Sequence, residues 1–200
     1  MTMRLFRDLL SKNAVCGGEP FGAIADFVIE ASSWLCSAFM LSVGEPTKPN
    51  DISVKFRTAM LSLLSSVSDR SAEFKKKDLK GQAESIAQNP IIIVASNLLG
   101  VNLVDEKGAR IGSLVDLEAD NGGRITGFVV TKSSFGRPVK VVQKKFNSRP
   151  LIGNYGVMTN VDEPKLRKAF ECESFVVPVS MFRRAEEGGF LSAPRIVVSA

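Results

Sequence analysis

The chain repeats itself. When its first half is slid along its second, Leu9-Leu10 falls on Leu98-Leu99, Asn13 on Asn102 and Val15 on Val104. A one-residue gap opposite Gly108 then sets Gly22 on Gly112 and Asp26 on Asp116. Apolar character keeps the register, with Phe21 on Ile111, Ile24 on Leu114, Phe27 on Leu117, Leu35 on Ile125 and Phe39 on Val129. Farther along, Lys55-Phe56 falls on Lys145-Phe146 and Leu61 on Leu151. After an extra segment in the second half, Ala83-Glu84 meets Ala185-Glu186, and the 89–94 run meets 193–198. Alternation of apolar residues alone would not place glycine and aspartate at matched positions. The chain therefore reads as one module copied once, with units at residues 1–95 and 96–200.

The second copy shows its pattern more openly. Residues 101–104 form a short apolar run, followed by Asp105-Glu106-Lys107-Gly108, where Gly108 is free to take a positive φ. Residues 111–117 alternate around Gly112, and a glycine inside a strand marks a bulge or a sharp bend. Asp120-Asn121-Gly122-Gly123 is a hairpin signal, and 125–131 is β-branched and apolar. Two further strands are expected near 175–179 and 195–198, with a helical turn at 180–187 between them. Short strands with regular turns predict a β-rich fold, all-β to α+β, of two small barrels in tandem. Each copy also carries an expected helical insert, at about 53–72 and about 143–172. The first rests on the spacing of Phe56, Met60, Leu63, Leu64 and Val67; the second on Asp162-Glu163-Pro164 as a helix start before Lys165.

The run Leu98-Leu99-Gly100, Leu103-Val104-Asp105, Gly108, Ile111-Gly112, Leu114 and Asp116 resembles the opening of PRC-barrel domains, and Val177-Pro178-Val179-Ser180 resembles their closing segment. The first copy keeps Phe21-Gly22, Ile24 and Asp26, but replaces the acidic turn by Cys16-Gly17-Gly18-Glu19. Its closing Val-Pro is absent, with Lys75-Lys76-Lys77-Asp78 read in that place. The resemblance implies an adaptor. Such domains occur in the photosynthetic reaction-centre H subunit, in a bacterial ribosome-maturation factor and in archaeal cell-division proteins. It also makes Gly22, Asp26, Gly108, Gly112 and Asp116 structural motif residues.

Chemistry finds few footholds. The chain has no histidine, which removes the commonest general base and neutral metal ligand. Its three cysteines, Cys16, Cys36 and Cys172, are too scattered for a zinc site or a disulfide framework. Neither Cys16-Gly17-Gly18-Glu19 nor Gly188-Gly189 has the spacing of a phosphate loop. Asp26 and Asp116 are the one carboxylate pair suited to acid–base work, and a role in fixing a turn through backbone N–H groups explains them more simply. Asp105, Asp116 and Asp120 lack the regular spacing of a calcium loop. No enzyme activity, catalytic residue, metal or cofactor is expected.

The net charge is +5, most of it local. Lys75, Lys76, Lys77, Lys140, Lys144, Lys145 and Arg149 form a candidate basic patch, and Tyr155 adds an aromatic for stacking. The greasiest window, 21–43, holds Asp26 and Glu30, which disfavours a membrane span, and the start lacks the pattern of a secretory signal. Free thiols fit a cytoplasmic protein. The expected function is a scaffold for protein partners in cell division or on the cytoplasmic side of a membrane complex. An RNA- or ribosome-associated maturation factor is the alternative; a peripheral membrane complex and a homo-oligomer stay open as partners.

Overall fold

The structure, a computed structural model, describes residues 2–30, 32–43, 55–75, 92–105, 107–133, 135, 138–143, 157–184 and 196–198. The chain opens with a short leader: strand β1 (Met3–Arg4) runs into helix α1 (Leu5–Leu9). Strands β2 (Asn13–Cys16), β3 (Glu19–Glu30), β4 (Leu35–Val43) and β5 (Lys55–Met60) follow. A 3-10 turn at Leu61–Leu63 then leads to β6 (Leu64–Val67) and β7 (Ser71–Phe74). A second leader, β8 (Ile92–Val94) and a 3-10 turn at Ala95–Leu98, precedes β9 (Asn102–Asp105), β10 (Arg110–Ala119) and β11 (Ile125–Thr131). A β-hairpin of β12 (Val139–Gln143) and β13 (Val157–Val161) and helix α2 (Glu163–Phe170) intervene before β14 (Ser174–Pro178), β15 (Phe182–Arg184) and β16 (Ile196–Val198).

Two seven-stranded sheets result, and they share one topology. The first runs β5-β4-β3-β2-β7-β6 and the second β14-β11-β10-β9-β16-β15. In both, among the described residues, the only parallel pair joins the first strand of the meander to the last, β2 to β7 and β9 to β16. Bulges fall at matched places too, between Ile24 and Asp26 on β3 and between Leu114 and Asp116 on β10. A bulge bends a strand and raises its twist, which curls each sheet.

The seventh strand of each sheet comes from the other half's leader. β1 pairs with β10, and β8, which leads into the second meander, pairs with β3. The halves also touch at their hairpin tips: the Cys36 amide donates to the Gly123 carbonyl at 2.8 Å, and the Ile125 amide to the Trp34 carbonyl at 2.7 Å. This reciprocity marks a pseudo-twofold axis. One apolar core results, shared by both sheets, and it includes Leu5, Phe6 and Leu9 of the leader. Edge-to-face rings thread it, Phe6 on Phe27, Phe27 on Phe39, Phe39 on Phe74 and Phe74 on Phe21, with centroids 5.0 to 5.7 Å apart. Each such pair contributes about 0.5–1.5 kcal/mol beyond burial.

Several expectations need correction. The segment 53–72 is no helical insert: its described part is β5, a 3-10 turn, β6 and the start of β7. Two strands joined by a tight turn place Met60, Leu63, Leu64 and Val67 three or four residues apart, which mimics a helical face. The counterpart of β5 is β14, since both pair with the matched strands β4 and β11. It is not the segment around Lys145-Phe146, which lies outside the described residues. The insert of the second half starts with β12 and sits before β14; its helix α2 begins two residues earlier than Lys165. The place of Val177-Pro178 in the first half is therefore Ala59-Met60, not Lys75-Lys76-Lys77-Asp78. The matching partner of Phe39 is Phe128, not Val129, because the first hairpin is one residue longer. The 193–198 run does not match 89–94: β16 is the counterpart of β7, whereas β8 is the counterpart of β1. The described part of 180–187, up to Arg184, holds the end of a 3-10 turn and then β15.

Gly112 and Gly108 separate two reasons for glycine. A Cβ on Gly112 would lie 2.5 Å from Val130 Cγ1 and 2.6 Å from the Thr131 carbonyl oxygen, and a backbone oxygen cannot step aside. Gly108 has open space but a φ of 82°, in the turn closed by its amide and the Asp105 carbonyl at 2.9 Å. Gly112→Ala is expected to destabilise by about 1–3 kcal/mol through overpacking, and Gly108→Ala by about 1 kcal/mol through left-handed backbone. Urea midpoints of the two variants check the order.

Candidate functional site

On one edge, β3 pairs first with β2, through residues 19–23, and then with β8, through residues 28–30. Asp26 lies between, where the strand changes neighbours. Its Oδ1 accepts from the Phe27 amide at 2.8 Å and from the Ser96 amide at 3.1 Å. Asp116 occupies the same gap on β10, between β9 and β1. Its Oδ1 accepts from the Leu117 amide at 2.7 Å and the Phe6 amide at 2.8 Å, and its Oδ2 from the Arg7 amide at 2.9 Å. Ser96 and Arg7 are matched positions in the two leaders. Each aspartate thus satisfies the first free amides of the other half's leader, where a helical turn leaves N–H groups without partners.

Both carboxylates are sealed in, Asp26 at 3% exposure and Asp116 at 0%. Burial pushes Asp26 from 3.8 up to about 6, while hydrogen bonds from the Ser96 side chain and from the Phe27 and Ser96 amides pull it back. Burial likewise pushes Asp116 up to about 7, against three amide donors and with a small upward push from Asp8. Desolvation outweighs hydrogen bonding at both sites. The Cys36 thiol is driven up to about 12 by burial and by the charge of Asp26, so it is an inert core group.

Above Asp116, α1 and α2 enclose a cleft of about 350 Å³. The sequence builds α2 as expected: Asp162 Oδ1 accepts from the Lys165 amide at 3.4 Å, a proline stands in the first turn, and Leu166 and Ala169 are buried. Leu10 and Phe170 line the cleft together with Arg7, Glu163 and Arg167. Arg167 reaches Glu163 at 3.9 Å. No spacing in the sequence signalled this cleft, because it arises where the insert of one half meets the leader of the other.

Gly22 approaches the Ser42 carbonyl at the start of the β3 bend, and a Cβ there would lie 2.9 Å from that oxygen. In the basic set, Lys75 is exposed just after β7 and Lys140 lies on β12. Lys76, Lys77, Lys144, Lys145, Arg149 and Tyr155 lie outside the described residues. Among the described residues, no group of three or more Cys, Asp or Glu is placed to hold a metal ion. No described helix is long and apolar enough to cross a membrane.

Residues 91–152 match the family model of the PRC-barrel domain. The described part of that span runs from β8 through β12, and over it the chain is similar to the PRC-barrel domain, a small β-barrel module often found in protein interactions. No curated protein matches the chain.

A carboxyl held above its ordinary 3.8 favours the folded chain while it is neutral. Its contribution is complete below pH 3.8 and is lost as pH rises through about 6 for Asp26 and about 7 for Asp116. Between pH 4 and 6 each should lower stability by up to about 1.4 kcal/mol per pH unit. Chemical denaturation across that range should show a falling limb that Asp26→Asn and Asp116→Asn each flatten. Asp26 serves both amides with one oxygen, which asparagine retains. At Asp116 the amides use both oxygens, so asparagine turns an NH2 onto one donor and should cost about 1–3 kcal/mol more.

Proposed function

We propose that the chain is a non-catalytic adaptor, two PRC-type barrels divided near residue 95, that holds a protein partner in a cytoplasmic assembly. The observation that carries this reading is an asymmetry between matched sheet edges. On β14, the outer strand of the second sheet, Phe175 and Val176 are 37% and 39% exposed, with Met181 at 41% just beyond. The matched positions on β5 are Arg57 and Thr58, opposite Leu41 and Met40 as Phe175 and Val176 are opposite Val130 and Val129. Two polar residues of one copy stand where the other has two apolar ones. An edge strand with exposed apolar side chains favours pairing with an added strand.

The two carboxylates best suited to catalysis support the same reading, since both are buried and Oδ1 of Asp26 and both oxygens of Asp116 accept from backbone amides. A site in cell division or on the cytoplasmic side of a membrane complex accords with the family resemblance. Nuclease separates this reading from binding to RNA. A pull-down with the full chain should recover protein partners equally with and without nuclease, and Val176→Lys with Phe175→Ser should lower recovery about tenfold or more. The melting temperature of the variant should change little, because both sites are exposed edge positions. Loss of every partner on nuclease treatment, or full recovery by the double variant, would replace the adaptor by the RNA-associated maturation factor or by another surface.

A further inference from the structure

We propose that the leader, β1 with α1, can be donated to a second copy of this chain, giving a reciprocally swapped homodimer. This goes beyond the adaptor reading and does not depend on it. The backbone of the leader is held by the far half, since β1 lies on β10 and Asp116 takes the Phe6 and Arg7 amides, while Leu5, Phe6 and Leu9, 0 to 1% exposed, pack in the core that both halves share. An identical groove on another copy offers the same contacts.

The connection to β2 is short and strained. Residues 10–12 join α1 to β2, and Ser11 sits at a φ of 64°, where a side chain is disfavoured. The matched position in the second half is Gly100, at a φ of 76°, which glycine adopts freely. The fold has therefore kept the turn but put a serine in the one place that asks for glycine. A short strained hinge beside a segment whose apolar side chains are buried in the far sheet favours exchange between copies. Opening the hinge releases Ser11, and a second copy restores every contact of the leader. The occupant is a second copy, because the groove already fits the sequence Met3 to Leu9 of this chain.

Arg4 and Glu118 stand directly opposite in the β1–β10 register, close enough for a disulfide if both were cysteine. Two full-length chains are made with Cys16→Ser and Cys172→Ser; the buried Cys36 stays. One carries Arg4→Cys and the other Glu118→Cys. They are mixed at high concentration, warmed close to the melting midpoint, cooled and oxidised. A covalent dimer is expected in the mixture and in neither chain alone. Ser11→Pro cannot take the positive φ and should raise its yield several-fold, whereas Ser11→Gly should lower it several-fold. A single chain bearing both cysteines should close an internal disulfide at low concentration. The proposal is overturned if that control closes while the mixture gives no covalent dimer. It is equally overturned if either chain alone dimerises to the same extent. Failure of the control itself would deny the β1–β10 register on which the exchange rests.

Discussion

Asp26 and Asp116 hold the fold together at the two places where it would otherwise be open. A long strand that changes neighbours along one edge leaves a gap in its ladder, and buried amides in such a gap need an acceptor. At β3 and β10 the acceptor is a carboxylate from the bent strand, and the amides belong to the leader of the opposite half. The bulge beside each aspartate turns the side chain into the gap. Glycine at 22 and 112 lets the neighbouring strand close on the same bend. Bend, bulge and acceptor therefore form one device, used twice.

This device explains why the halves share a core. Once each leader is seated in the far sheet, Leu5, Phe6 and Leu9 lie among the residues of both halves, and Phe6 begins the line of rings that runs to Phe74 and Phe21. Neither half closes its sheet without the other. A single module of this size is marginal by itself, and fusion with exchanged leaders supplies the missing buried surface.

Much of this was legible in the sequence, and the failures have physical causes. The matched glycines and aspartates located both bends, and Asp120 with Gly123 located a hairpin, because turn chemistry is local. The capping role of the aspartates was legible as well, but not whose amides they cap. A repeat has the same signature whether a leader folds back on its own copy or crosses to the other. The pairing of β5 was not legible because Leu63 lies in a 3-10 turn that Met60 and Leu64 flank, and that spacing copies a helix. The cleft between α1 and α2 joins residues of opposite halves, so no window of sequence contains it.

Symmetry and function pull apart in the second half. Two fused copies begin with equal edges, and an equal pair of edges invites head-to-tail growth. Here the outer strands differ in sequence: β5 reads Lys55-Phe56-Arg57-Thr58-Ala59-Met60 and β14 Ser174-Phe175-Val176-Val177-Pro178. The insert that separates β11 from β14 belongs to the same half, and its helix α2 covers Val115 and Val129 but leaves Val176 open. Duplication thus supplied buried surface through exchange at the axis, and divergence away from the axis made the two outer strands unlike.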